Sequence, residues 1–239
     1  MNKYPGILIV FDGIDGAGKT TQVRMLESAL AGIGENVVLS KEPTDGTWGK
    51  KLRESAFSGR LPFEEELDAF IRDRQEHLQT KIIPALQAGS VVILDRYFYS
   101  TIAYQGILVE DHHSIEERIR ADVVVPDVAF WMDLPTEVAV GRVKTRDGKL
   151  NAFERQDDLE KAAKIFEAIS KHDNAVVRIE ATMPIPLLHK TILNHLVEGA
   201  LKAKRCAKPY GCDDPVYCGP RMTDSCDWAT ATRRLYAAM

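Results

Sequence analysis

Cysteine is absent from the first 205 residues of this chain, and all four, Cys206, Cys212, Cys218 and Cys226, lie beyond them. A body without thiols excludes disulfide scaffolding and cysteine chemistry there, and it suits a reducing compartment. Long apolar runs are missing too. The first, Ile7 to Phe11, is too short for a secretion signal and far too short to span a bilayer. The expectation is a soluble, cytoplasmic protein. Nor is there a basic surplus: 31 Lys and Arg against 35 Asp and Glu leave a net charge of −4. That argues against a broad nucleic-acid surface but leaves room for a local basic pocket that takes a small anion. Internal repeats and low-complexity segments are likewise lacking. What is present, 239 residues of which 45% are hydrophobic and 28% charged, is an ordinary globular composition with enough chain for one domain and an appendage.

Short apolar runs alternate with helix-like stretches. Gly6 to Phe11, Asn36 to Leu39, Val91 to Leu94, Val128 to Met132 and Ala175 to Ile179 read as strands. Helical patterns occupy a segment carrying Val23, Leu26 and Leu30, then residues 47–57, 63–87, 134–142 and 158–170, and a last helix with Leu188, Ile192, Leu193, Leu196 and Val197. Between residues 142 and 158 the reading is a charged connection. Strands that are apolar throughout and separated by helices predict an α/β fold: a five-stranded parallel sheet covered by helices on both faces. In such sheets the ligand crevice lies at the carboxyl ends of the strands. Asp12, Asp95 and Asp133 are expected there.

Between the first strand and the first helix stands Gly13-Ile-Asp-Gly-Ala-Gly-Lys19-Thr20, which fits the phosphate loop G-x-x-x-x-G-K-[ST] in its required strand–loop–helix setting. Its glycines let backbone N–H groups turn inward around phosphate oxygens at a helix N-terminus. Gly13, Gly16, Ala17, Gly18, Lys19, Thr20 and Thr21 are therefore the expected nucleotide-phosphate-binding set, with Lys19 on the β- and γ-phosphates and the Thr20 hydroxyl on Mg²⁺. The fold expected is that of the P-loop NTPases. No Asn-Lys-x-Asp segment is present to read guanine, as a GTPase switch would require. Asp15 inside the loop adds negative charge beside phosphates, so it is expected to face something opposite them, such as a sugar hydroxyl or a cation.

A second block, Leu94 to Gly106, places Asp95 and Arg96 at a strand end. A helix that carries Thr101, Tyr104 and Gln105 follows. A third, Phe70-Ile-Arg-Asp-Arg74, sets an aromatic and an arginine on one helical face. His77 next to it is expected to be a satisfied helix residue, Tyr97, Phe98 and Tyr99 to be packing, and His112 and His113 to be a polar loop pair. With Phe11 to Thr21, Lys41-Glu-Pro43, Gly46-Thr47, Lys51 to Glu54, Pro126-Asp127, Asp133 and Phe153-Glu154 in the same order, residues 5–200 resemble the thymidylate kinases. The resemblance implies transfer of the ATP γ-phosphoryl group to dTMP with Mg²⁺, in a homodimer. Phe70 would stack on thymine and Arg74 would donate to its exocyclic oxygen. Thr101 and Gln105 would meet the base edge, and Tyr104 would lie under the sugar. Pro43 also falls on the substrate side. Arg96 and Arg53 would hold the dTMP phosphate, Asp15 would approach the 3′-hydroxyl, and Asp95 would support Mg²⁺ through water. The competing functions are another nucleoside monophosphate kinase and, from a different class, a P-loop switch with no acceptor.

Some thymidylate kinases carry a catalytic arginine in the phosphate loop, where this chain has Gly16. The chain resembles the other, bacterial-like type, in which a basic lid closes over ATP. Residues 142–154 are the expected lid of a kinase domain spanning 1–201, with Arg146 the first choice of catalytic cation and Arg142 the second. Asn151-Ala152 departs from the Asp-Arg pair common in the family. The extension 202–239 has no assigned role. Its spacing C-x₅-C-x₅-C-x₇-C lacks the paired C-x₂-C of ordinary zinc sites, so zinc is disfavoured there, as are disulfides, relative to free thiols. Trp228, Leu235 and Tyr236 are candidates to dock it on the body.

Overall fold

The computed structural model describes residues 2–148, 153–206 and 234–235. Strands β1 (Ile7–Asp12), β2 (Val37–Lys41), β3 (Val91–Asp95), β4 (Val128–Asp133) and β5 (Val176–Glu180) form one sheet in the order β2-β3-β1-β4-β5, all pairs parallel. This is the five-stranded parallel sheet of the expected fold. Central β1 is buried along its whole length, as a strand covered on both faces must be. Strands β1, β3 and β4 each run one residue past their expected apolar ends, so Asp12, Asp95 and Asp133 become the last strand residues. Pairing sets Phe11 opposite Asp95 and Asp12 opposite Trp131, which brings the first two carboxylates to one edge of the sheet.

Helices α1 (Lys19–Gly32), α2 (Thr47–Ser58) and α3 (Phe63–His77) follow, and then a single helix expected to run to residue 87 changes register. Leu78–Ile82 forms a π-type turn before α4 (Ile83–Gln87), which carries Pro84 in its first turn. Proline has no N–H and its ring crowds the preceding turn, so an uninterrupted α-helix through it would be costly; the wider turn absorbs the conflict. After α5 (Phe98–Gly106) comes a helix the sequence reading omits, α6 (His113–Arg120). His113 begins that helix, stacked on His112 at 4.4 Å, so the pair expected in a loop is a helix start.

Helix α7 spans Thr136–Asp147 and so runs past residue 142 into the segment expected to be a charged connection. It is followed by α8 (Gln156–His172), α9 (Ile185–Glu198) and α10 (Ala200–Cys206). One hydrophobic core joins the sheet to α1, α5, α8 and α9, and Leu235 is buried in it. Lys149, Asn151, Ala152, Cys212, Cys218, Cys226, Trp228, Tyr236 and the Cys206 side chain lie outside the described residues, and so does the question of zinc. No described helix is long and apolar enough to cross a membrane.

Candidate active site

The phosphate loop is built by its glycines. Gly16 has φ +85°, and a Cβ there would lie 2.5 Å from the carbonyl oxygen of Ala139 on α7. That close approach explains why the loop carries no side chain at this position. Gly18, also left-handed, caps α1, whose first turn has no acidic residue, so the N-terminus stays favourable to an anion. Lys19 is buried and donates to the carbonyls of Gly13 at 3.0 Å and Ile14 at 2.8 Å, folded back over the loop. Burial, with the nearby Arg96 charge, lowers its pKa to about 8. The Thr20 hydroxyl donates to Asp95 Oδ2 at 2.5 Å, so both expected Mg²⁺ oxygens meet at the end of β3. Ala17 is buried behind the loop, while Gly16, Gly18, Lys19, Thr20 and Thr21 line a polar cavity together with Lys41, Pro43, Arg53, Asp95, Arg96, Arg142 and Arg146.

A second, largely apolar cleft lies beside it. Phe70, Leu52, Ala56, Tyr104 and Phe153 supply carbon surface, and Arg74, Thr101 and Gln105 supply polar atoms. Arg74 is 2% exposed; its Nε donates to Glu42 at 2.9 Å and one NH2 to the Thr101 hydroxyl at 2.7 Å, leaving NH1 buried without a hydrogen-bond partner. Glu42 is also held by His77, whose other ring nitrogen meets Ser40, which makes His77 the satisfied residue expected. Gln105 is fully buried. Its Nε2 donates to Glu66 at 2.9 Å, and its Oε1 has no partner.

The two cavities share a wall made of Asp15, Glu42, Pro43, Arg53 and Arg96. Arg96 sits at φ 72°, the one non-glycine residue described with a positive φ. Its guanidinium donates to Asp15 Oδ1 at 2.6 Å, to the Gly13 carbonyl at 3.0 Å and to the Ser100 hydroxyl at 2.8 Å. Burial alone would raise the Asp15 carboxyl, but the Arg96 and Lys19 charges outweigh it and hold the pKa down to about 2. The Ser100 hydroxyl donates in turn a hydrogen bond to buried Asp12, which also accepts the Tyr97 N–H at 3.1 Å. Desolvation pushes Asp12 up to about 7 despite those donors. Tyr104 Oη accepts the Asp15 N–H at 3.2 Å and the Arg96 guanidinium lies 5.4 Å from its ring centroid. Arg53 donates to the carbonyls of Pro43 and Thr44 and pairs with Asp45.

On the α7 side, Arg142 donates to the Gly16 carbonyl at 3.3 Å, and Arg146 lies 3.9 Å from Glu154 while lining the phosphate cavity. Thus the expected phosphate-loop, substrate and lid arginine residues lie in the two cavities or directly against them, whereas Asp133, expected at the same crevice, pairs with Arg178 at 2.6 Å and lines neither. Tyr97, Phe98 and Tyr99 are the buried packing residues expected. Sequence reasoning misses Glu42 and Ser100, which orient Arg74 and Arg96, and the Arg60–Glu66 pair beneath Gln105. Glu42 and Ser100 do sit inside recognised blocks, so their neighbours were a usable signal. For Arg60 and Glu66 none is apparent.

A family model described as thymidylate kinase matches residues 11–192. The chain is 48% identical over 179 residues to the thymidylate kinase of Xanthomonas euvesicatoria pv. vesicatoria (strain 85-10), an alignment covering 75% of this chain and 79% of that protein. It is 47% identical to the thymidylate kinase of Xanthomonas oryzae pv. oryzae (strain PXO99A), with 75% and 78% covered. With that of Xylella fastidiosa (strain M12) the identity is 42% over 172 residues, 72% of this chain and 79% of that protein.

Proposed function

The chain belongs to the thymidylate kinase family, and we propose that it moves the γ-phosphoryl group of ATP to dTMP across the wall shared by its two cavities. The products are dTDP and ADP: an oxygen of the dTMP phosphate bonds to the γ-phosphorus as the bond to the β,γ-bridging oxygen breaks. Such a transfer asks little covalent help from a protein and much positioning of charge. The observation that carries the division of roles is the shared wall itself, with Arg96 and Arg53 standing between a glycine-lined anion cavity and an apolar cleft.

ATP phosphates occupy the loop from Gly13 to Thr21, and Lys19 exchanges its two loop carbonyls for phosphate oxygens. The base of dTMP enters the cleft, stacks on Phe70 and meets Arg74, Thr101 and Gln105. Tyr104 packs under the deoxyribose, and its ring leaves little room for a 2′-hydroxyl. Pro43 closes the cleft at the phosphate end. Arg96 and Arg53 take the acceptor phosphate, while Asp15 fixes Arg96 and faces the 3′-hydroxyl. Arg146, assisted by Arg142, neutralises charge on the transferring group.

Thr20 and Asp95 present hard oxygen atoms at one point and fit a magnesium ion. Among the described residues no cluster of three or more His, Cys, Asp or Glu is arranged for a metal, which suits an ion that keeps water and phosphate ligands. When bound, Mg²⁺ offsets phosphate charge and aligns the β- and γ-groups. The same reading puts the reaction in the cytoplasm and on a homodimer.

ADP release from ATP, measured with dTMP, dUMP, dCMP, AMP or no acceptor, tests the assignment. Turnover should require a nucleoside monophosphate and be fastest with dTMP. A rate that ignores the acceptor would overturn it.

A further inference from the structure

Beneath the base cleft lies a carboxylate that the transfer reaction does not use. Glu66 on α3 is 0% exposed. Arg60, from the loop before α3, grips it through Nε at 3.1 Å and through a second, shorter NH2 contact, so the charge is met by a two-point fork. The outer face of that guanidinium is covered by Phe153, with 4.4 Å to the ring centroid. Phe153 also lines the cleft. The carboxylate is therefore shut away from bulk water, while Arg60 keeps 18% of its side chain exposed.

The consequence falls on Gln105. A carboxamide has one donor end and one acceptor end, and its orientation is set by its partners. The Glu66 carboxylate accepts from both Arg60 donors and from the Gln105 Nε2 hydrogen, which leaves Oε1 as the uncommitted end of an amide that lines the cleft. Arg74, which can only donate, lines the same cleft with NH1 uncommitted. An acceptor and a donor of fixed polarity match a pyrimidine that carries a ring N–H beside an exocyclic carbonyl. Cytosine presents the reverse, a bare ring nitrogen beside an amino group. A site whose buried polar groups are matched by one base and orphaned by another discriminates far more strongly than one that merely excludes a methyl group.

We propose that Glu66, clamped by Arg60, is a specificity-determining positioning residue: it locks Gln105 with its oxygen toward the base and so selects pyrimidines with a ring N–H over cytosine. The inference rests on the dTMP reading above.

Its test is the ratio of kcat/KM for dTMP to that for dCMP, measured in the wild type, Glu66→Gln and Arg60→Met, with thermal unfolding and the KM for ATP recorded alongside. Glutamine at 66 can offer either end of its amide, so Gln105 is free to turn. The dTMP:dCMP ratio should fall about tenfold or more while ATP binding stays within threefold. Arg60→Met removes a partly exposed side chain and should shift the ratio in the same direction. It decides the matter should Glu66→Gln fail to fold. A folded variant whose ratio stays within twofold of wild type overturns the lock even if both rates drop, because a structural defect lowers them together. A wild type that does not prefer dTMP over dCMP would overturn the dTMP reading, and the lock with it.

Discussion

Arg96 and Asp15 meet at 2.6 Å on the wall between the acceptor cleft and the phosphate cavity, and Arg96 reaches that position from a left-handed backbone. A non-glycine residue pays roughly 1–2 kcal/mol for such a conformation. Four contacts hold it: its own N–H to the Phe11 carbonyl, and its guanidinium to Asp15, Gly13 and Ser100. The side chain is thus aimed before substrate arrives, with Asp12 steadying Ser100 from behind.

Arg96→Lys should expose how much of this depends on the planar fork. A lysine ammonium is a point charge and cannot span Asp15, Gly13 and Ser100 at once. The expected result is a fall in kcat/KM for dTMP of about 100-fold, the scale for losing one preorganised donor, with the KM for ATP changed less than threefold. Steady-state kinetics check this, and a loss below fivefold would mean that charge alone suffices.

Arg146→Ala and Arg142→Ala separate the two arginines of α7. Arg146 lines the phosphate cavity and contributes to the charge felt by Asp15, whereas Arg142 is engaged with the Gly16 carbonyl. Arg146→Ala should lower kcat by ~10³, as for arginines that complete a phosphoryl-transfer site, with little change in the KM for dTMP. Arg142→Ala should cost less. If instead Arg146→Ala loses under tenfold, the catalytic cation is another lid residue.

The strands, the phosphate loop and the Asp95–Gln105 block are legible because each is contiguous: short apolar runs, a fixed spacing of glycines, one turn and one helix. Departures come where two signals compete or none is given. The helical pattern over 63–87 is sound as periodicity, but Pro84 forces the π-type turn ahead of it. Helix α6 offers only two apolar residues, Ile115 and Ile119, among charged ones, too few to stand out by pattern. The Arg60–Glu66–Gln105 chain is invisible for a different reason. Glu66 and Gln105 are 39 positions apart, and Arg60 and Glu66 are charged residues of a type that usually sits in water. Only packing α3 against α5 turns them into a buried set.

Lys19 makes a pH prediction whose sign follows from its surroundings. Without nucleotide, burial and the Arg96 charge hold its pKa at about 8. Triphosphate oxygens favour the ammonium form, so binding ATP must raise that value. At pH 8.5 binding should therefore take up protons, and affinity should weaken as pH rises through about 8. Near pH 7, where Lys19 is already charged, uptake should be small. Calorimetry of ATP binding in two buffers of different ionisation enthalpy reads the proton count directly. Equal heats in both buffers at pH 8.5 would rule the mechanism out, and Lys19→Met should abolish the uptake if Lys19 is its source.

Lys204 on α10 tests how the end of the folded body is attached. Its ammonium lies within hydrogen-bond reach of the carbonyls of Asn2, Tyr4 and Gly6 and of Asn2 Oδ1, and 3.2 Å from the Asp127 carboxylate. Asp127 has a fully buried side chain, and it also accepts the N–H of Leu8 at the head of β1 and two donors of Asn2. The cluster joins the N-terminal segment, the start of β1 and α10 at the end of the sheet opposite Asp12 and Asp95. Lys204→Met keeps the apolar stem but leaves a buried carboxylate without its cation, a change that costs about 3–5 kcal/mol when nothing compensates. Three N–H donors stay on Asp127, which places the expected loss near the lower figure. For a chain of this size that is a Tm lower by roughly 6–12 °C. Because no atom of the cluster lines either cavity, kcat and both KM values should be unchanged at a temperature where the variant is folded. An unaltered Tm would mean that water replaces the ammonium at no cost. A changed KM would mean that α10 communicates with the site.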